Sequence, residues 1–156
     1  MGLDQYLFKR NPERVSNPDA KDELIGQWRK FNALHRYINN FFALDFPEDN
    51  CKELDLSSSK VRVTLADLYS VKEKLDAAER IYDPDQTDEE KEIWWTYSDE
   101  VQEEVAKIMP PAPGFFFGSL DIDSGYYQDV VHSIEIFEKA LGLIEQGADV
   151  YYYAWY

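Results

Sequence analysis

The sequence has little of several residue types on which whole classes of protein depend. It contains one cysteine, Cys51, which excludes an internal disulfide framework, and a lone thiol suits a reducing compartment. Its first residues, MGLDQYLFKR, lack the basic and then apolar run of a signal peptide. No apolar stretch approaches the roughly 20 residues that a membrane span needs. We therefore expect a soluble, cytoplasmic protein that does not enter a membrane.

Basic residues are also scarce, with 16 Lys and Arg against 31 Asp and Glu, for a net charge of −15. Nucleic acids are held by Lys and Arg that displace counterions from phosphates. The composition therefore argues against direct binding to nucleic acid or to anionic lipid, and it favours a basic partner surface. The acids are concentrated between Asp83 and Glu104, where ten of them face one base, Lys91.

Hydrophobic residues make up 44% of the chain and aromatic residues 15%, which is typical of a chain that folds around a core. Residues 3–10 read as a first strand. Asn17 and Pro18 are the residue types of a helix start, and apolar residues three and four apart then predict one long helix to about Leu44. The alternating residues within 53–64 predict a hairpin, or one strand with a bulge.

The second half of the chain predicts three further helices and two aromatic strands. The first of these helices covers residues 65–82. The second follows a capping box at Thr87 and breaks near Ser98. The third is capped by Ser124 and ends at Gly147. The strands are GFFFGS at 114–119 and VYYYAWY at 150–156. We therefore predict an α+β fold, with residues 1–156 in a single domain of about four helices packed on a small, mostly antiparallel sheet.

Three consecutive phenylalanines lie in GFFFGS. In a strand, Phe115 and Phe117 point to one face and Phe116 to the other. We interpret this stretch as a central strand whose side chains fill the core on both faces. The alternative is a platform on which a ligand stacks.

Several stretches resemble a family of small proteins encoded by bacteriophages and prophages, whose members begin much like MGLD-x-YL. The matching stretches include WRKFNALHRY at 28–37, the residues around Asn50, GFFFGS, and the acidic turn followed by YYQDVVHSIEIFEKAL. Together with MGLDQYLFKR they touch about half of the chain. The resemblance implies a phage origin and a cytoplasmic life in an infected bacterium. The resemblance assigns no catalytic role to any residue. It favours a role in infection, such as blocking a defence system, redirecting a host enzyme or handling nucleotides.

The WRKFNALHRY stretch combines an aromatic ring, an amide, a histidine and two guanidiniums. On the predicted helix these groups are neighbours, because residues three and four apart share a face. Such a cluster is able to bind an anionic or planar ligand such as a nucleotide. The structural alternative is a hydrogen-bonded histidine at the edge of the core, with arginines that pair with surplus carboxylates. The candidate ligand-binding residues are Trp28, Arg29, Asn32, His35 and Arg36.

Catalytic and metal chemistry have weaker support. Cys51 is a nucleophile only if a histidine, His35 or His132, lies beside it, and the acids around it would raise the pKa of its thiol. Two distant histidines and one cysteine exclude a zinc site of standard spacing. The acidic turn at 121–125 is better explained as the cap of the next helix than as a calcium loop. We assign no catalytic residue, no metal site and no cofactor.

The acidic segment is the strongest candidate for partner binding, because aromatic residues lie inside it. Trp94 and Trp95 are adjacent, so a regular helix cannot turn both toward one core. Charge that steers an encounter, with aromatic anchors that hold it, is how a surface engages a basic groove. The alternative is a solvated helix face. The candidate partner-binding residues are Glu89, Glu90, Trp94, Trp95, Glu100, Glu103 and Glu104.

These observations leave three functional hypotheses, of which the first is favoured. It is a phage-encoded, non-enzymatic protein whose acidic, aromatic-bearing surface binds and inhibits or redirects a host protein with a basic groove. The second is a small-ligand or nucleotide-binding protein with its pocket near Trp28, Asn32 and His35. The third is a small enzyme using His/Asp or Cys/His chemistry. The eleven tyrosines also suit a homodimer interface.

Overall fold

The structure is a computed structural model that describes residues 2–41, 53–114 and 117–156. Its described strands form one antiparallel sheet with the order β2-β1-β4-β3, and this confirms the predicted single α+β domain. The strands are β1 (Asp4–Lys9), β2 (Glu23–Arg29), β3 (Glu53–Leu56) and β4 (Val150–Trp155). The helices are α1 (Asn32–Phe41), α2 (Ser58–Ala77), α3 (Asp88–Ile93), α4 (Asp99–Ala106) and α5 (Ser124–Glu145), with a 3₁₀ turn at Pro12–Val15.

The core lies between one face of the sheet and the helices. Leu7 in β1 and Tyr152 in β4 are opposite each other in the register, and both are completely buried. Helix α5 crosses this face so closely that a Cβ at Gly26 of β2 would lie 2.5 Å from the side chain of Ile136. Glycine at this position therefore permits the helix–sheet contact.

The predicted long helix over 17–44 is wrong, because its first half is a loop and a strand. Residues 23–29 pair with β1, and Lys30 then adopts a left-handed backbone with φ 61° before α1 begins. Its N–H donates to the carbonyl of Leu3, 2.7 Å away. Apolar residues spaced for a helix thus formed an edge strand, because pairing with a distant strand decides between the two structures.

The hairpin or bulged strand predicted at 53–64 is also wrong beyond Leu56. Helix α2 begins directly after Ser57 and ends at Ala77, five residues short of the predicted Tyr82. Val61 and Leu65 of α2 are buried on one helical face. The alternation of Val61 with Val63 is therefore part of a helical pattern that continues to Leu75.

Several predicted boundaries are confirmed. Strands β1 and β4 lie where expected, Thr87 and Glu90 form a reciprocal capping box, and Ser98 begins a new helix by accepting from the N–H of Val101. Gly147 has the positive φ, 94°, of a residue just past a helix end. The cap of α5 is Asp123 rather than Ser124.

The described part of GFFFGS is not a strand. Residues 117–119 lie outside any helix or strand, and the N–H of Phe117 donates to the carbonyl of Gly114 at 3.2 Å. Phe117 is half-buried and packs against the core, as the core interpretation expects for it. Phe115, Phe116 and Cys51 lie outside the described residues, as does the loop predicted after Leu44.

Candidate functional site

The acidic segment is closed into a compact loop at its base. Ile81 and Thr96 exchange two backbone hydrogen bonds, each 2.9 Å long. Inside the loop, the side chain of Gln86 accepts from the N–H of Asp83 at 2.8 Å and donates to the carbonyl of Trp94 at 3.1 Å. Helix α3 occupies the far side of the loop. Residues 81–104, which add the first six residues of α4 to this closed loop, are called the acidic surface below.

Trp95 fixes the loop to the body of the domain. Its ring is 4% exposed, its Nε1 donates to the hydroxyl of Tyr97 at 2.9 Å, and its carbonyl accepts from the N–H of Ser124 at 3.0 Å. The guanidinium of Arg80 lies over the ring, 3.8 Å from its centroid. Tyr127 of α5 meets the same ring edge-on at 5.9 Å. The buried tryptophan therefore holds the loop in one orientation.

Trp94 points the other way and is 59% exposed. The predicted separation of the two adjacent tryptophans is observed, with Trp94 outside and Trp95 inside. The helix on which that prediction depended is wrong, because α3 ends at Ile93 and both residues lie after it, Trp94 with extended backbone. Ile93 is 58% exposed, and Ile81 and Tyr82 are also exposed on the opposite arm of the closed loop. A groove of about 360 Å³ runs between the arms and is lined by Tyr82, Trp94 and the polar side chain of Gln86.

The same stretch of chain carries many exposed carboxylates. Glu89, Glu100, Glu103 and Glu104 are all exposed. Among the described residues, the acidic surface contains one ion pair, between Lys91 and Asp88 at 4.0 Å. The surface therefore presents negative charge that the described part of the chain does not neutralise.

Glu90 differs from the other predicted partner-binding acids, because its carboxylate serves the capping box. Its Oε2 accepts from the backbone N–H of Thr87 at 2.8 Å, and its own N–H donates to the Thr87 hydroxyl at 3.2 Å. A capping box of this kind satisfies two N–H groups that the first turn of a helix leaves unpaired. Glu90 therefore maintains the start of α3, and Trp95 anchors the loop, whatever a partner contacts.

The predicted ligand cluster does not share a helix. Trp28 and Arg29 are neighbours in β2 and point to opposite faces of the sheet. Trp28 is buried and donates from Nε1 to the hydroxyl of Ser133 at 2.8 Å. The side chain of Arg29 is 74% exposed and lies 3.7 Å from a carboxylate oxygen of Asp4. The expectation that helical spacing groups them with Asn32 and His35 is wrong.

Asn32 and Arg36, both in α1, are bonded to a neighbouring segment of backbone. The amide of Asn32 donates to the carbonyls of Phe117 at 3.1 Å and Ser119 at 2.9 Å, and its Oδ1 accepts from the N–H of Ala112 at 2.9 Å. Arg36 donates to the carbonyl of Pro111 at 3.1 Å. These two side chains therefore tie residues 111–119, which lie outside any helix or strand where they are described, to α1.

His35 lies in the core beside the sheet and is 4% exposed. Its Nδ1 is 3.2 Å from the hydroxyl of Tyr152, which in turn accepts from the side-chain amide of Gln5 at 3.0 Å. With Gln5 donating, the Tyr152 hydroxyl is able to give its proton to Nδ1 of a neutral imidazole. Burial lowers the pKa of His35 to about 4, so the ring is neutral at neutral pH.

His132 and the metal hypotheses have little structural support. His132 is exposed, and its Nε2 is 2.9 Å from the carbonyl oxygen of Gln27. Burial raises the pKa of the nearby Asp129 carboxyl to about 6, and the positive charge of His132 acts in the opposite direction. Residues 2–41, 53–114 and 117–156 contain no group of three metal-ligating side chains. Asp123 accepts from the N–H of Tyr126 at 3.2 Å, so the acidic turn caps α5 as predicted.

Comparisons with protein family models, with curated proteins and with solved structures find no match to this chain. Within the described ranges, no helix is both long and apolar enough to cross a bilayer. The sequence analysis missed the contribution of Ile81 and Tyr82 to the candidate site. The two arms are joined by the bridge between Ile81 and Thr96 and by the side chain of Gln86, and hydrophobic periodicity carries no signal for such contacts.

Proposed function

We propose that this chain is a non-enzymatic binding protein whose acidic surface occupies a basic groove of another protein. The observation that carries the proposal is an exposed tryptophan, Trp94, on a closed loop rich in exposed carboxylates that have few described partners. Aromatic anchors supply most of the affinity at protein interfaces, and complementary charge supplies steering and specificity. The acidic surface combines both.

The anchoring of the loop favours binding further. A loop that must be ordered on association costs affinity, whereas one that is already held in place does not. Here the bridge between Ile81 and Thr96 closes the loop, and buried Trp95 attaches it to α5. Trp94 is thus presented with little freedom left to lose.

The chemistry of the expected partner follows from the surface. A groove lined by Lys and Arg, of the kind that normally holds phosphates, is complementary to the carboxylates, and its cations are able to stack on the Trp94 ring. Arg80 over Trp95 shows the same geometry inside this chain. Because the sequence resembles phage proteins, we propose a host protein of the infected bacterium as the partner, with inhibition or redirection of that protein as the result.

Replacing Trp94 with alanine is expected to weaken partner binding by roughly tenfold or more, because a central aromatic anchor is lost. The fold should be unaffected, since 59% of the side chain is already in solvent. The matched control is Trp155→Ala, which removes an equally exposed ring, 57%, from β4. Affinity capture from infected cells with the wild-type chain names the partner, and calorimetry with the purified pair measures both variants. Equal affinity of the wild type and Trp94→Ala would refute the interface.

Reversing the charge of Glu92, Glu103 and Glu104 to lysine is expected to weaken the same binding by roughly tenfold, mainly through the association rate. These three acids lie in the last turns of α3 and α4, where lysine suits the helix dipole. Glu90 is left intact because it caps α3.

The control for this charge reversal carries the same three changes on exposed acids elsewhere: Asp19→Lys, Glu73→Lys and Glu135→Lys. It alters the net charge equally but leaves the acidic surface unchanged. Raising the salt concentration should weaken wild-type binding and narrow the difference between the two variants. If the control weakens binding as much as the surface variant, general charge rather than this surface is responsible.

The two other hypotheses stay predictions. The amide of Asn32 and the indole N–H of Trp28 are bonded within the chain, so a ligand near them must displace internal hydrogen bonds. Cys/His chemistry depends on Cys51, which lies outside the described residues.

A further inference from the structure

A second surface, distinct from the acidic surface, is formed by the side of the sheet that faces away from the helices. Side chains alternate along a strand, so the neighbours of buried Leu7 and Tyr152 point outward. The outward residues form three rows that cross β2, β1 and β4 in register. The rows are Arg29, Asp4 and Trp155; Gln27, Tyr6 and Tyr153; and Leu24, Phe8 and Tyr151. With Glu53 and Asp55 of β3, these residues are called the outer face.

Aromatic rings in contact run across the outer face. Phe8 stacks on Tyr6 at 5.8 Å between centroids and on Tyr151 at 5.4 Å, and Tyr6 meets Tyr153 at 6.3 Å. At its margins, Trp155 is 57% exposed and Leu24 is 45% exposed. Tyr151, at one end of this run of rings, is only 6% exposed, because the guanidinium of Arg10 lies over its ring at 4.4 Å and its hydroxyl donates to Asp22. The accessible aromatic area therefore comes from the half-buried rings of Tyr6, Phe8 and Tyr153 and from the marginal residues, and exposed apolar patches mark interaction sites.

The charge of the outer face differs from that of the rest of the molecule. Its three carboxylates, Asp4, Glu53 and Asp55, are ion-paired with Arg29 of the same face and with Arg10, which follows the end of β1 and also lies 3.0 Å from a carboxylate oxygen of Asp149. Arg10 reaches Glu53 at 2.6 Å and Asp55 at 2.5 Å, and Arg29 lies 3.7 Å from Asp4. On a chain with a net charge of −15, this is a nearly neutral surface. Two copies of the chain, which repel each other elsewhere, are able to approach here.

The charges are also arranged so that the face complements itself. Arg29 lies on the β2 edge of the sheet, and Glu53 and Asp55 lie on the opposite, β3 edge. A two-fold axis parallel to the strands, between two outer faces, brings the β2 edge of each copy over the β3 edge of the other. Like charges then avoid each other, and the aromatic strands β1 and β4 of the two copies meet in the middle.

We propose that the outer face is the interface of a homodimer of this chain. Strands about 4.8 Å apart, with residues about 3.4 Å apart, give four strands a flat area of roughly 400 Å². Two copies then bury roughly 800 Å² in total, which is below the about 1,200 Å² of a stable specific interface and corresponds to a weak, transient one. The dimer is therefore reversible and depends on protein concentration.

Sedimentation velocity of the wild-type chain from low micromolar to near-millimolar concentration tests this. The mass is expected to rise from that of one 18.3 kDa chain toward twice that value. Added salt should strengthen the dimer, because it screens the repulsion between two acidic copies but leaves apolar contact intact. This sign is opposite to the one expected for a basic partner on the acidic surface. A chain that stays monomeric at every concentration and salt level would overturn the proposal.

Substitutions on the outer face test whether the dimer interface lies there. Trp155→Glu and Leu24→Glu are each expected to raise the dissociation constant of the dimer by roughly tenfold or more, because a carboxylate is buried in an apolar contact. The matched control is Trp94→Glu, an equally exposed tryptophan on the acidic surface, which should leave dimerisation unchanged. Thermal unfolding confirms that each variant folds. Arg29→Glu, at a side chain that is 74% exposed, supplies a milder change to the same face. A dimer disrupted by Trp94→Glu but not by the outer-face variants would place the interface elsewhere.

Discussion

Replacing Asn32 with alanine is expected to lower the free energy of unfolding by about 3 kcal/mol, since each buried group left without a partner costs about 1–3 kcal/mol. The side chain is 3% exposed and makes three hydrogen bonds to backbone groups of residues 112–119. Alanine leaves two carbonyls and one N–H without these partners. Water that reaches some of the freed groups restores part of the lost hydrogen bonding. The total loss of stability is therefore smaller than three times the cost of one buried, unpaired group.

The matched control is Asn40→Ala, made in the last turns of the same helix. Asn40 is exposed, and its removal should change stability by less than about 0.5 kcal/mol. Urea denaturation of the two variants and the wild type gives the comparison directly. An Asn32→Ala protein as stable as Asn40→Ala would show that the segment 111–119 is held by other contacts.

Asn32 also shows why part of the structure was beyond sequence analysis. Its partners lie about 80 residues further along the chain, in a segment that reads as a phenylalanine-rich strand. Nothing in the local sequence distinguishes an asparagine that ties down a distant loop from one that binds a ligand. Both interpretations use the same amide, and only the three-dimensional position decides between them.

The errors in secondary structure have the same origin. Local patterns correctly predicted β1, β4, the Thr87 capping box and the break at Ser98, because each depends on residues close in sequence. The strand β2 was missed because its conformation is set by pairing with β1 on the far side of a turn. An apolar spacing that fits a helix over a few residues does not resist that pairing.

The candidate site was predicted in composition but not in shape. The sequence supplied the acids and the argument that Trp94 and Trp95 must separate. It did not show which ring points outward, nor that Ile81 and Thr96 close the loop so that Tyr82 lies beside Trp94. Such closure depends on two backbone hydrogen bonds between residues that have no distinctive side chains.

The second large effect is expected from pH, through the buried imidazole of His35. Its pKa in the folded chain is about 4, below the ordinary value of 6.5, because burial disfavours the charged ring. Between these two pH values the unfolded chain binds a proton that the folded chain does not. Stability is therefore lost as the pH falls from 6.5 toward 4, by about 3 kcal/mol in total.

The surroundings of His35 support this sign. Its ring lies against Phe117, Tyr152 and Tyr156, which carry no charge in this pH range. An imidazolium would also have a donor at Nδ1, where the Tyr152 hydroxyl is placed to donate. The folded chain thus resists protonation through lost solvation, and the hydrogen-bond geometry opposes it as well.

Asp129 opposes the effect of His35 in the same pH range. Burial raises its pKa to about 6 from an ordinary 3.8, so the folded chain takes up a proton there more readily than the unfolded chain does. This contribution adds stability as the pH falls through the range, although it is reduced because the carboxyl is partly in solvent. The wild-type profile from pH 7.5 to 4.5 is consequently flatter than either group alone would produce.

Two variants separate the opposing contributions. Asp129→Asn removes the compensation, so its stability should fall by about 2–3 kcal/mol on going from pH 7.5 to 4.5. His35→Gln removes the imidazole that the unfolded chain protonates. Lowering the pH over the same range should therefore leave the stability of this variant unchanged or higher. The pKa values of Asp22 and Asp76 in the folded chain lie below the ordinary 3.8. The stability that these two carboxylates contribute is therefore lost mainly below pH 4, outside the range compared. Urea denaturation at each pH measures the difference between the two variants, and parallel profiles would show that His35 is not the group that titrates.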